Sequence, residues 1–141
     1  MKDVTQRAVE DYIRYWETLS VRSVRLVEKL AASGISYTDP FHDVRGVDAF
    51  EAVLRRYLEG VRLRNIKVIN YGFSNDGRTV FLRWEAVIGA ADQIALSGMS
   101  EVVYDHNALV VGHYNFWDTG SQIMAGAPIL KHGFNWLRRH F

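Results

Sequence analysis

Asp39 lies in the stretch Tyr37-Thr38-Asp39-Pro40-Phe41-His42-Asp43, where a carboxylate among aromatic and imidazole side chains is a candidate for proton transfer. Flanking by Tyr37 and Phe41 predicts partial desolvation, which raises a carboxyl pKa toward the range of a working general base. A plainer role fits the same residues. Proline holds the residue before it in extended backbone, and Asp-Pro commonly opens a turn at a strand end. A second polar pair, His113 and Asn115, alternates with Val111 and Trp117. Burying both is expensive unless they are partnered, so they belong to a structural network or to a ligand contact. The five histidines, His42, His106, His113, His132 and His140, show no paired metal-ligand spacing, and the chain has no cysteine. Neither a metal nor another cofactor is expected. No glycine-rich phosphate loop is present, and Gly98 and Gly112 fall inside strand patterns, where glycine permits a bend.

These groups need elements to position them. Asp3 and Gln6 have capping-box spacing, and Ala8, Tyr12, Trp16 and Leu19 follow on one helical stripe. A shorter helical stretch carries Val24, Val27, Glu28 and Leu30 and is expected to end at Ser33-Gly34. Ile35 to Thr38 then reads as a short strand, with His42 and Asp43 on an exposed loop. Phe50, Val53, Leu54, Tyr57 and Leu58 recur at helical spacing before Gly60 stops the helix.

From Arg62 onward the period becomes two. Turn signals at Asn75-Asp76-Gly77, Gly89-Ala90-Ala91-Asp92 and Asp105-His106-Asn107 divide this part into four long antiparallel strands. Val80, Leu82, Trp84, Ala86 and Ile88 form a core face opposite Arg83 and Glu85. Ile94, Leu96, Gly98, Ser100, Val102 and Tyr104 form another, with Ser100 the polar exception. In the last strand, Leu109 to Asp118, Val111, His113, Asn115 and Trp117 oppose Val110, Gly112, Tyr114 and Phe116, and parity leaves open which set faces inward. Finally, Leu130, Phe134, Leu137 and Phe141 make a helical stripe beside Trp136, Lys131, Arg138 and Arg139. Such a helix suits a pocket mouth or a dimer surface, with peripheral contact to anionic membrane the less favoured alternative.

A chain of 141 residues with 48% hydrophobic and 13% aromatic content fills one core, so residues 1–141 are expected to form a single domain. A net charge of +1 offers no broad field for a polyanion, which argues against nucleic acid as a partner. Without cysteine there is no disulfide or thiolate nucleophile. Met1 to Gln6 lacks the apolar core of a signal peptide and no run approaches a membrane span, so a soluble, cytoplasmic protein is expected. Helices followed by a meander of strands indicate an α+β domain, with N-terminal helices packed on one face of a curved antiparallel sheet and a pocket on the concave side.

Tyr37-Thr38-Asp39-Pro40, followed by Gly46-Val47-Asp48-Ala49-Phe50, resembles the strand, Asp-Pro, Gly and helix pattern of the NTF2-like superfamily. His113-Tyr114-Asn115-Phe116-Trp117-Asp118 likewise resembles a segment of its SnoaL-like members. The resemblance covers nearly the whole chain and implies the NTF2-like cone, homodimerisation and an apolar small-molecule ligand. That superfamily hosts isomerases, cyclases, epoxide hydrolases, dehydratases and binding proteins without activity. Compared with ketosteroid isomerases, Asp39 matches the catalytic base and Tyr12 the oxyanion-hole tyrosine. Ser100 stands where those enzymes carry a protonated acid, a departure that leaves His113 or Asn115 as the substitute donor. The implied ligand-binding set is Trp16, Tyr37, Phe41, His42, Trp84, Ser100, Asn115 and Trp117. The functional expectation is an isomerase, lyase or polyketide cyclase-like protein using Asp39 as general base. The alternative is a non-catalytic binding or dimerisation module.

Overall fold

Thr5 starts the first helix: its side-chain oxygen accepts from the Ala8 amide at 3.3 Å. The computed structural model describes residues 4–119 and 139–141, so the Asp3 half of the expected capping box lies outside the described residues. Helix α1 (Gln6–Glu17) buries Val9, Tyr12, Tyr15 and Trp16 on one face. A 3₁₀ turn (Val24–Leu26) leads into the one-turn helix α2 (Val27–Leu30). Helix α3 (Val47–Glu59) buries Phe50, Val53, Leu54 and Tyr57, the stripe its sequence predicts.

Six strands form one sheet in the order β2-β1-β6-β5-β4-β3. They are β1 (Ala31–Asp39), β2 (His42–Arg45), β3 (Arg64–Phe73), β4 (Thr79–Ile88), β5 (Ile94–Tyr104) and β6 (Val110–Trp117). Neighbours pair antiparallel except β1 and β6, which run parallel. Helix α3 packs on β1 and β2, and α1 lies against β3, so the helices cover one face of the curved sheet. The result is the expected α+β, NTF2-like cone, with the concave side as its interior.

Two local expectations give way, and the open question of the last strand is decided. Ser33-Gly34 does not end a helix. Both residues lie inside β1, exposed, where the pairing with β6 slips: Ala31 faces Val110 and Ser36 faces Gly112, so five steps along β1 match two along β6. His42 and Asp43 are not loop residues but begin β2, which folds back on β1 with Asp39 opposite His42. In β6, a register shift against β5 leaves Val111 as the extra residue between Val110 and Gly112. Val110 is consequently buried on the core side, and His113, Asn115 and Trp117 regain the inward face beyond it.

Gly98 sits in register between Trp84 on β4 and Trp117 on β6. A Cβ there would stand 2.6 Å from the Trp84 ring, 2.8 Å from the Phe116 carbonyl oxygen and 2.9 Å from Trp117 Cβ. Its lack of a side chain lets both indoles crowd inward at one level of the cone. Gly98→Ala is expected to lower unfolding free energy by about 1–3 kcal/mol in urea denaturation, the usual cost of overpacking. A loss below about 0.5 kcal/mol would mean that the row relaxes freely.

Candidate active site or ligand pocket

A pocket opens into the cone. Its wall is chiefly hydrocarbon, with Leu63, Ile66, Val68, Leu82, Ala86, Ile88 and Leu96 joined by the indoles of Trp16, Trp84 and Trp117. The period-two alternation of β4 and β5 aims Leu82, Trp84, Ala86, Ile88 and Leu96 inward. Tyr37, Tyr57, Ser100, His113 and Asn115 supply its polar lining, and Phe141 completes the wall.

Hydrogen bonds connect the polar residues into one chain. Tyr12 Oη lies 2.7 Å from His113 Nδ1, and His113 Nε2 lies 2.8 Å from Asn115 Oδ1. Ser100 also donates to Asn115 Oδ1, while accepting from Trp84 Nε1 at 2.9 Å. Asn115 Nδ2 donates to Tyr37 Oη at 3.1 Å, and Tyr37 donates to Asp39 Oδ2 at 2.8 Å. Tyr57 donates to the same carboxylate oxygen. Two donors converging on Asn115 Oδ1 fix its amide orientation.

The Asp39 side chain is fully buried, and its second oxygen accepts from the Phe41 amide at 2.8 Å and the His42 amide at 2.9 Å. His42 Nδ1 reaches that oxygen at 3.0 Å, while its Nε2 lies 3.0 Å from the main-chain oxygen of Phe141. Burial alone would raise the Asp39 pKa. Hydrogen bonds from His42 and Tyr57, the nearby imidazole and the Phe41 amide outweigh it, so the carboxyl lies below its ordinary range. The expected upward shift therefore fails: burial is present, but so are donors enough to stabilise the anion.

Burial, first among the causes, pushes the Tyr37 and Tyr57 hydroxyls up, and the adjacent Asp39 charge adds to it, so both stay protonated. Burial also raises Tyr12 and pushes His113 down to about 4, against the opposing pull of Asn115 and Asp39. His113 is accordingly neutral at pH 7, accepting from Tyr12 at Nδ1 and donating from Nε2 to Asn115.

Of the residues expected in the site, Trp16, Tyr37, Trp84, Ser100, His113, Asn115 and Trp117 line the pocket. Asp39 lies behind Tyr37 and Tyr57, and Tyr12 behind His113, each one hydrogen bond from the wall. Phe41 is not in the wall but stacks on Phe141 at 4.6 Å between ring centres. His42 also stays outside it, held against Asp39. Tyr57 is the polar lining residue the sequence reading missed, along with Phe141 and the aliphatic wall. Its signal was a phenol on an otherwise purely hydrocarbon helical stripe, which needs a polar partner once buried. Phe141 was expected on a C-terminal helix. Leu130, Lys131, Phe134, Trp136, Leu137 and Arg138 of that helix, with its proposed membrane contact, lie outside the described residues. Among the described residues, no three His, Asp or Glu side chains converge as a metal site, and no helix is long and apolar enough to cross a membrane.

The buried imidazole makes stability pH-dependent. His113 binds its proton less readily in the folded chain than in the unfolded chain, so its contribution is complete above about pH 6.5 and lost as pH falls toward about 4. Asp39, also depressed, loses its contribution only below the ordinary carboxyl range. Urea denaturation from pH 7 to pH 4 is expected to show a decline on the order of 3 kcal/mol from this group, flattened in His113→Gln. An equally steep decline in the variant would remove His113 as its source.

No curated protein matches the chain in sequence. Solved structures share its fold at low identity. A protein from Jannaschia sp. CCS1 described as a SnoaL-like polyketide cyclase superposes with a TM-score of 0.74 at 14% identity, covering 92% of this chain and 98% of its own. The Mycobacterium tuberculosis protein RV0760c, in complex with estradiol-17beta-hemisuccinate, gives 0.68 at 12%, covering 83% and 95%. The Delta 5-3-ketosteroid isomerase from a Mycobacterium species gives 0.66 at 16%, covering 84% and 95%. These likenesses concern the fold, and one fold supports unrelated chemistries. The model of the SnoaL-like domain matches residues 9–120, most of the chain and every strand of the cone, and the chain therefore belongs to the SnoaL-like domain family.

Proposed function

We propose that this protein binds an apolar small molecule within the cone, its hydrocarbon body against the indoles and its polar group at the Asn115–Tyr57 end. The observation that carries this reading is the single connected polar strip in an otherwise apolar cavity, the usual composition of a site that orients a small ligand. The similarity to a steroid complex supports it at the level of fold. Estradiol is expected to quench the tryptophan emission saturably, and Val68→Trp, which fills the wall of β3, to weaken that binding at least about tenfold. Failure of estradiol, a long-chain alcohol and an aromatic polyketide to bind at all would defeat the reading.

A second reading, an isomerase or lyase with Asp39 as base, is favoured by the bond that links Tyr57 in the wall to the buried carboxylate. Asp39 has no direct path to substrate. A proton leaving carbon beside a carbonyl would pass to Tyr57 Oη as the tyrosine proton passes to Asp39 Oδ2, with Asn115 Nδ2 holding the resulting oxyanion. Asp39→Asn would then cut turnover of an enolisable ketosteroid by about 10²- to 10⁴-fold while leaving its affinity in place. Turnover retained in that variant would eliminate Asp39 as the base.

The outer sheet face supports the homodimer expected from the resemblance. Met99 and Phe116, paired in register, are 50% and 62% exposed, and Phe81 nearby is 41% exposed. Two such faces packed about a twofold axis would cover all three. Sedimentation is expected to show a dimer that Phe116→Lys converts to monomer; an unmodified chain that sediments as a monomer would remove the proposal.

A further inference from the structure

The polar strip does not offer donors and acceptors equally. Tyr37 and Tyr57 both give their protons to Asp39 Oδ2, so their oxygens have only lone pairs left for a ligand. Convergence on one carboxylate oxygen also makes the two phenol oxygens neighbours. Asn115 Oδ1 is occupied by Ser100 and His113, which turns the amide nitrogen toward Tyr37 and, among the described residues, leaves one N–H uncommitted. The Trp84 N–H is taken by Ser100, and the Ser100 proton by Asn115. Trp16 Nε1 has no hydrogen-bond partner among the described residues, but with under 1 Å² accessible it presents no donor to the cavity. His42 Nδ1 passes 3.4 Å from Tyr57 Oη, yet lies closer to both carboxylate oxygens, at 3.0 and 3.1 Å.

We infer that the ligand's polar group is a hydroxyl, donating to Tyr57 Oη and accepting from Asn115 Nδ2–H, and that a ketone is the poorer fit. This rests on the small-molecule reading above and adds the chemical class. A ketone satisfies the amide but brings no proton for the phenol oxygens. It therefore leaves an acceptor unpaired in a desolvated place, whereas an alcohol serves both. The Tyr57 oxygen is a good acceptor because its own proton is drawn toward an anion, and hydrogen bonds in such a chain strengthen one another.

Decalin, 2-decalol and 2-decalone share one rigid skeleton and differ at the oxygen. With the full chain, quenching of its tryptophan emission is expected to show 2-decalol binding roughly tenfold tighter than 2-decalone, the scale of one hydrogen bond to a strongly polarised group. Tyr57→Phe is expected to bring that ratio close to one, with decalin reporting the apolar affinity that remains and near-ultraviolet circular dichroism reporting the fold. Equal or tighter binding of the ketone by the unmodified chain overturns the inference while leaving the pocket reading intact. Persistence of the alcohol preference in folded Tyr57→Phe also overturns it. Failure of all three compounds to bind removes the pocket reading and this inference with it.

Discussion

A carboxylate withdrawn from water must be surrounded by donors, and the Asp39 corner is built to meet that requirement. Its donors come from separate elements: Tyr37 from β1, the Phe41 and His42 amides from the turn, the His42 ring from β2 and Tyr57 from α3. The charge thereby ties the Asp-Pro turn, the short second strand and the third helix to one point. Losing any one donor leaves the others holding an anion that is less well compensated, so the corner behaves as a unit. The same bonds that make the anion stable make it a weak base in the resting chain.

Direction along the polar strip follows from that anchor. The protonated tyrosines can donate only once each, and Asp39 claims both protons on the cavity side. At the other end Tyr12 supplies His113 Nδ1, which sets the neutral tautomer and sends the Nε2 proton to Asn115. Tyr12 on α1 thus governs how Asn115 on β6 presents itself without lining the cavity. Ser100, placed where an acid was expected, takes part as a relay: it receives from Trp84 and donates to the same amide oxygen. The cavity chemistry is consequently set by residues one layer behind its surface.

Much of the frame was legible in the chain because its signals are local. The stripe of α3 and the alternation of β4 and β5 each reflect one element burying one face, and both appear in the folded molecule. Tyr37 and Asp39, two apart in a strand, share a face by the same rule, so their bond was within reach of the sequence. The orientation of β6 was not, because the bulge at Val111 depends on pairing with β5. Nor was the direction of the Asp39 shift. Aromatic neighbours announce burial, but the opposing donors include an imidazole across a turn and a phenol 18 positions away. The Ser33-Gly34 pair misled for a related reason: a helix-ending dipeptide also suits an exposed irregularity in a strand.

The parallel union of β1 and β6 has a consequence for how the molecule assembles. The donors to Asp39 lie within 18 positions of it, so the bonds of that corner are local in sequence. By contrast, the bond from Asn115 to Tyr37 spans 78 positions and that from Tyr12 to His113 spans 101. Contacts so far apart must overcome a large loop-closure entropy before they contribute, and parallel pairing is intrinsically slow. During synthesis β1 emerges well before β6, its partner. The anionic corner therefore draws on contacts close in sequence, whereas the cavity with its polar strip is complete only once the sixth strand pairs with the first.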